Sequence, residues 1–112
     1  MPRRSTRWFL VLVALLGAAR IAWPSDEHQV ALDVEDKGFS PAEIEVPVGA
    51  RVRFQVTNKT ASAIEFESFE LNRERVVQPG QTVNVYVSGL DAGRYEFFDD
   101  FNKARHGTLI VK

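Results

Sequence analysis

Apolar and polar residues alternate along most of the chain beyond residue 28, with the period of two that is typical of half-buried β-strands. The clearest example is Val83, Val85 and Val87, which are separated by single residues. Turn-forming residues such as Pro79 and Gly80 stand between the alternating stretches. The pattern predicts short strands over residues 29–35, 44–46, 52–56, 64–66, 75–77, 83–87, 93–98 and 108–111.

These strands define the predicted fold class. Residues 69–77 are the least regular segment, and we interpret them as a loop that leads into a strand at Arg75. About seven or eight short strands without a long helical pattern predict one all-β domain, a β-sandwich over residues 29–112. A chain of 112 residues has room for a single domain of this kind.

The first 19 residues have the pattern of a secretory signal peptide. Three arginines precede an unbroken apolar run (residues 8–16), and the small residues Gly17 and Ala19 suit a cleavage site. A membrane-spanning helix needs about 20 apolar residues, whereas Arg20 interrupts this run too early. We therefore expect a periplasmic protein with no membrane span after cleavage, and a mobile polar lead over residues 20–28.

The composition argues against several classes of protein. The chain contains no cysteine, which excludes disulfides, thiolate metal ligands and cysteine nucleophiles. Without the three arginines of the predicted signal peptide, 11 basic residues stand against 15 acidic ones, a net charge of about −4. An acidic exported domain suits cations better than nucleic acid. No Ser/His/Asp order, phosphate-binding loop or metalloprotease motif is present, so we expect no enzymatic activity.

The side chains with the most chemistry lie on one strand and on the loop between the last two strands. Asp99 and Asp100 follow the aromatic strand directly, and His106 lies near the end of the loop. Glu65 and Glu67 are two residues apart on an earlier strand and therefore point to the same face. Such oxygen and nitrogen donors suit ferric iron or cupric copper. We predict Glu65 and Asp99 as the first ligands, then His106, with Glu67 and Asp100 as outer or alternate ligands.

Each of these groups also has an ordinary structural interpretation. Strand carboxylates commonly form a solvated face, and aspartates in turns accept backbone N–H bonds. The run Arg73-Glu74-Arg75 is expected to form exposed ion pairs of little energetic weight. Exposed Phe98 and Phe101 would favour a surface that docks a protein partner. Carboxylates within about 5 Å of one another, with raised pKa values, would instead favour an ion site.

Residues 30–112 resemble the cupredoxin-like family almost end to end. The resemblance is carried by GFSPAEIEVPVGARVRFQVTN (residues 38–58), by VVQPGQTVNV (76–85) and by GRYEFFDD followed by HGTLIV (93–111). It implies a Greek-key β-sandwich of the cupredoxin type.

The same resemblance assigns positions to the candidate ligands. Glu65 and Asp99 stand about where copper-carrying members have their first histidine and their cysteine. Asn102 stands where the second histidine would be, and Arg105 or His106 falls near the methionine. A blue (type 1) copper centre needs two imidazoles and a thiolate, so no type 1 copper is expected here.

Within the family, the sequence looks like the cupredoxin-like module of the EfeO iron-uptake proteins. The turn at Asp36-Lys37 and the strand AIEFE (residues 63–67) have similar counterparts there. This resemblance implies a periplasmic protein that binds ferric or cupric ions beside an iron permease or another uptake component. The competing hypothesis is a metal-free cupredoxin module that docks a periplasmic or membrane partner.

Overall fold

The structure, a computed structural model, describes residues 27–112, which form nine β-strands in two sheets. The predicted signal peptide, and the predicted lead up to residue 26, lie outside the described residues. Residues 27–112 include no helix long and apolar enough to cross a membrane. The strands are β1 (Glu27–Glu35), β2 (Gly38–Ser40), β3 (Glu43–Val46), β4 (Arg51–Asn58), β5 (Ile64–Ser68), β6 (Arg73–Val77), β7 (Thr82–Ser88), β8 (Gly93–Asp99) and β9 (His106–Val111).

The two sheets confirm the predicted all-β sandwich. One sheet has four strands in the order β2-β1-β4-β7, and the other has five in the order β3-β9-β8-β5-β6. The pairs β1–β4 and β3–β9 are parallel, and the remaining neighbours are antiparallel. The ninth strand is β2, which lies between the predicted strands 29–35 and 44–46, where no strand was predicted. It pairs with β1 across the turn at Asp36 and Lys37, and Phe39 is buried.

The core lies between the sheets and is built by the alternation seen in the sequence. On β4, β5 and β7 every second side chain is buried, because successive strand residues point to opposite faces. The alternation in the predicted strand over residues 93–98 places Phe97 in the core, and Phe97 on β8 is fully buried. The largest fully buried side chains are Phe54, Phe66, Phe97, Leu32, Ile64 and Leu109.

The two sheets are also joined along one edge by arginine side chains. Arg73 Nε donates to the carbonyl of Tyr86 at 2.8 Å, and Arg75 Nη1 donates to the carbonyl of Asn84 at 3.1 Å. Both carbonyls belong to β7, the edge strand of the four-stranded sheet. The two arginines therefore cover backbone acceptors on an edge strand, where unpaired groups would invite another strand.

The turn between β4 and β5 is held by Asn58, which is fully buried. Its Nδ2 donates to the carbonyls of Ser62 at 2.8 Å and Val77 at 2.9 Å. Its Oδ1 accepts bonds from the backbone N–H and the hydroxyl of Thr60, at 2.8 and 2.7 Å. This network ties the end of β4 to β6 and fixes the start of β5, the strand that carries two of the candidate ligands.

Candidate metal centre

Three carboxylates meet on the outer face of the five-stranded sheet. On β5 the apolar residues point inward, so that Glu65 and Glu67 point outward and are half-buried. Asp100 directly follows β8, and its backbone N–H donates to the carbonyl of Glu65 at 2.9 Å. One oxygen of each carboxylate lies within 4.8 Å of the other two. The structure thus brings together Glu65, Glu67 and Asp100, three of the five predicted ligands.

The environment of this cluster disfavours its negative charge. Partial burial is the main cause that raises the pKa of the Glu65 carboxyl, and repulsion from neighbouring carboxylates, first among them Glu74, raises it further. Partial burial likewise raises the pKa of Glu67, with repulsion from Glu74 and a hydrogen bond shared with it as the next causes. Close carboxylates with raised pKa values are the signature expected of an ion site.

One lysine offsets part of this charge. The Nζ of Lys103 lies 3.5 Å from Oδ1 of Asp100 and 5.9 Å from the centre of the Phe98 ring. Its positive charge lowers the pKa of Glu67 slightly against the larger upward effects. The side chain is 70% exposed, so solvent screens the interaction and it contributes little. The cluster therefore keeps an excess of negative charge that a bound cation would relieve.

Asp99, predicted as a first ligand, is not part of this cluster. It is the last residue of β8 and lies opposite the buried Phe66, so its carboxylate points into the interior and is fully buried. Its Oδ1 accepts the backbone N–H groups of Glu65 at 2.9 Å and Phe101 at 3.0 Å. Its Oδ2 accepts Nη1 of Arg105 at 3.0 Å. The structure therefore places the carboxylates of Glu65 and Asp99 on opposite faces of one sheet and does not bring them together as ligands.

His106, the predicted nitrogen donor, also lies away from the three clustered carboxylates. It begins β9 and is in register with Phe98 on β8, which is itself in register with Glu67 on β5. Neighbouring strands are about 4.8 Å apart, so the backbones at His106 and Glu67 are separated by roughly 10 Å with an aromatic ring between them. The imidazole is exposed on the outer face, beyond Phe98.

The position that the family resemblance assigns to copper does not fit a copper ion. Asp99 stands there in place of the cysteine, and its two oxygens are already bonded to backbone N–H groups and to Arg105. Asn102, at the second histidine position, uses its Oδ1 to accept the N–H of Ala104 at 3.3 Å. The chain has no cysteine to supply the thiolate, so there is no type 1 site.

Two residues that influence the cluster are absent from the sequence-based ligand set. Glu74 faces Glu67 in register across β5 and β6, whereas the sequence predicted exposed ion pairs for Arg73-Glu74-Arg75. The flanking arginines instead bond backbone carbonyls of β7. The alternation of side chains on β6 places Glu74 on the other face from these arginines, but only the β5–β6 register shows that it lies beside Glu67. The position of Lys103 beside Asp100 depends on the path of the loop and has no signal in the sequence.

An aromatic surface adjoins the carboxylates. Phe69 is 75% exposed, and its ring centre lies 5.3 Å from that of the partly exposed Phe98. Phe101, next to Asp100, is 58% exposed. Phe101 is therefore exposed and Phe98 partly so, which is the condition under which these rings favour a docking surface, and Phe69 packs beside Phe98.

Comparison with known proteins relates this architecture to one family. A model of the cupredoxin-like domain family matches residues 8–111. An uncharacterized protein of Rickettsia prowazekii (strain Madrid E), RP394, is 34% identical over 84 residues, which cover 74% of this chain and 67% of that protein.

Two solved structures show the same fold. The metal-binding domain of the Cu(I)-exporting P-type ATPase CopA from Streptococcus pneumoniae D39, solved with Cu(I), has a TM-score of 0.72 at 18% identity, covering 81% of this chain and 91% of that one. A Cu(I) structure of an amicyanin variant has a TM-score of 0.57 at 18% identity, covering 85% of this chain and 89% of that one. At such low identity these likenesses show the cupredoxin-like fold and carry no ligand assignment.

Proposed function

Because the chain belongs to the cupredoxin-like domain family, we propose that it is a periplasmic metal-binding protein whose cation is held by Glu65, Glu67 and Asp100. The cation is ferric iron or cupric copper, and the role is in iron uptake, as the resemblance to EfeO modules implies. The observation that carries the proposal is the meeting of three carboxylate oxygens within 4.8 Å on one sheet face.

The donor set favours a hard cation. Carboxylate oxygens suit hard ions, whereas Cu(I) prefers thiolate or thioether sulfur. The chain has no cysteine, and its one methionine is Met1, far from the cluster in sequence. The copper oxidation state named for the two solved structures is therefore not the one proposed for this chain.

The spacing of the oxygens is close to what a small cation requires. With metal–oxygen bonds of about 2.1 Å, ligand oxygens lie roughly 3–4 Å apart. The half-exposed glutamates Glu65 and Glu67 can close the remaining gap by rotating about their side-chain bonds. Three protein ligands leave coordination positions for water or for a chelator that delivers the metal, which suits a protein that passes its ion on.

Titration of the purified protein with Fe(III), supplied as a soluble chelate, and with Cu(II) tests the proposal. We expect one ion per chain, and a loss of affinity of about tenfold or more in both Glu65→Gln and Glu67→Gln, because each removes a charged ligand without changing size. Glu43→Gln is the matched control, since Glu43 is exposed on β3 at the opposite edge of the same sheet. Equal binding by all four proteins would reject the site.

The raised pKa of Glu67 predicts a pH-dependent stability change in the metal-free protein. Ionisation of this carboxyl costs more in the folded than in the unfolded chain. The penalty is absent below the ordinary glutamate pKa of 4.5, where the group is protonated in both states, and is complete above the raised folded pKa. Glu67→Gln should therefore melt a few degrees higher than the unmodified protein at pH 7, and this advantage should disappear as the pH is lowered to about 4.

Thermal unfolding at low ionic strength, with a chelator present, measures this effect. Carboxylates that bind a cation repel one another when no cation is present. Glu67→Gln should therefore have a lower metal affinity and a higher melting temperature in the metal-free form. A variant that melts lower at pH 7, or a gain that is the same at both pH values, would contradict the charge repulsion described above.

The aromatic surface favours a second candidate function, a module that docks a protein partner. Phe69 is 75% exposed and packs against Phe98, Phe101 is 58% exposed, and aromatic side chains are enriched in the cores of protein interfaces. The metal titration separates the two functions. Stoichiometric binding that depends on Glu65 and Glu67 supports the metal carrier, whereas no binding of either ion leaves docking as the function the surface supports.

A further inference from the structure

Asp99 and Arg105 form an ion pair inside the end of the sandwich, apart from the outer carboxylates. Asp99 is fully buried, and the side chain of Arg105 is 14% exposed. Arg105 Nη1 lies 3.0 Å from Oδ2 of Asp99, while Nε donates to the carbonyl of Asp36 at 3.3 Å and Nη2 lies 3.8 Å from its Oδ1. A buried carboxylate persists in its charged form only where a partner cation and hydrogen bonds compensate the loss of water.

Backbone hydrogen bonds within the loop after β8 position Arg105 next to Asp99. The N–H of Asn102 donates to the carbonyl of Asp99, and the N–H of Arg105 donates to the carbonyl of Asn102, both at 3.0 Å. The N–H of Asp99 then donates to the carbonyl of Arg105, also at 3.0 Å. These backbone bonds join Asp99, Asn102 and Arg105 within the one loop. The loop alone therefore holds the guanidinium next to the Asp99 carboxylate.

We propose that the guanidinium of Arg105 is the resident cation of the Asp99 site and takes the place that a metal ion has in copper-carrying members of the family. The inner position is closed to metal because its one charged donor is already neutralised by a side chain of the same chain. The inference does not depend on the outer carboxylates, and it holds whether or not they bind a cation.

Removal of the guanidinium should turn Asp99 into an open cation site. A surface depression of about 300 Å³, lined in part by Asp36, Phe101, Asn102 and Arg105, borders the arginine of this pair. Truncation of Arg105 would extend this depression to the buried carboxylate. Asp99 would keep its two backbone N–H bonds but would lose its only charged partner in the interior.

Chemical rescue of Arg105→Ala tests the proposal. The variant should melt on the order of 10 °C below the unmodified protein, and millimolar guanidinium should restore part of that loss. Guanidinium should not raise the melting temperature of Asp99→Asn/Arg105→Ala beyond the change seen in the unmodified protein. Lys103→Ala, an exposed change in the same loop, should melt as the unmodified protein does.

The comparison separates the inner site from the outer one. Glu65, Glu67 and Asp100 are intact in every variant of this set, and guanidinium is a probe that carries no metal, so the test does not involve the outer carboxylates. Arg105→Gln removes the positive charge but keeps much of the side-chain length, so it provides a better-folded version of the same test and should show a smaller rescue in the same direction. A folded Arg105→Ala that gains no stability from guanidinium, or an Arg105→Gln that melts as the unmodified protein does, overturns the proposal.

Discussion

Replacement of Phe97 by alanine is expected to lower the free energy of unfolding by about 3–5 kcal/mol. Phe97 is fully buried on β8, and its ring centre lies 5.0 Å from that of Phe39, 5.5 Å from that of Phe66 and 6.0 Å from that of Phe54. The substitution removes a whole ring from the contact point of the two sheets. The strands around it cannot close the resulting cavity without losing their hydrogen-bond register.

Denaturant unfolding measures this loss, with Phe101→Ala as the control. Phe101 lies four residues further along the chain but is 58% exposed, so its truncation should change stability by no more than about 0.5 kcal/mol. Similar effects for the two variants would contradict the placement of β8. Because Asp99 ends β8 and Asp100 follows it directly, a severe loss at Phe97 should also disturb the outer carboxylate cluster and the Asp99–Arg105 pair.

Gly107→Ala is expected to be the second most damaging change, with a cost of roughly 3 kcal/mol. A Cβ atom at position 107 would lie 2.5 Å from Cζ of Phe97 and 2.8 Å from the carbonyl oxygen of Ala42. The clash involves the packed ring at the centre of the core and a backbone atom, so neither neighbour can move away cheaply. The absence of a side chain at this position is what allows β9 to pack against Phe97.

A double-mutant cycle distinguishes this clash from a general loss of strand stability. Phe97→Leu provides space next to position 107, so Gly107→Ala should cost less in that background than in the unmodified protein. Gly93→Ala is the control, because a Cβ there would come no closer than 3.8 Å to Tyr95. Additive costs at positions 97 and 107 would show that the ring is not the obstacle.

The outer carboxylates and the buried Asp99 differ in how their negative charge is balanced. On the outer face, carboxylates lie close together with one exposed lysine beside them, and their charge is only partly balanced. Inside the sandwich, the carboxylate of Asp99 is paired with the largely buried guanidinium of Arg105. The same residue type thus has its charge balanced inside the sandwich and only partly balanced on the outer face.

Local alternation determined a large part of this structure. The predicted strand positions, the inward direction of Phe97 and the shared face of Glu65 and Glu67 all follow from the period of two, which depends on each residue's immediate neighbours. If the predicted strand over residues 93–98 had included Asp99, alternation would have predicted an inward side chain for Asp99, two residues after Phe97. The predicted strand ends at Phe98, so the sequence-based prediction puts Asp99 in the loop.

Only the tertiary structure decided what these residues contact. The strand β2 forms because three of its residues pair with β1. The β5–β6 register puts Glu74 beside Glu67, and the backbone bonds of the last loop put Arg105 beside Asp99. Each contact joins separate parts of the chain, so it depends on strand register and on the path of the chain. A carboxylate has the same sequence signature whether it faces water, a metal ion or a guanidinium, so its partner cannot be read from the pattern that places it on a strand.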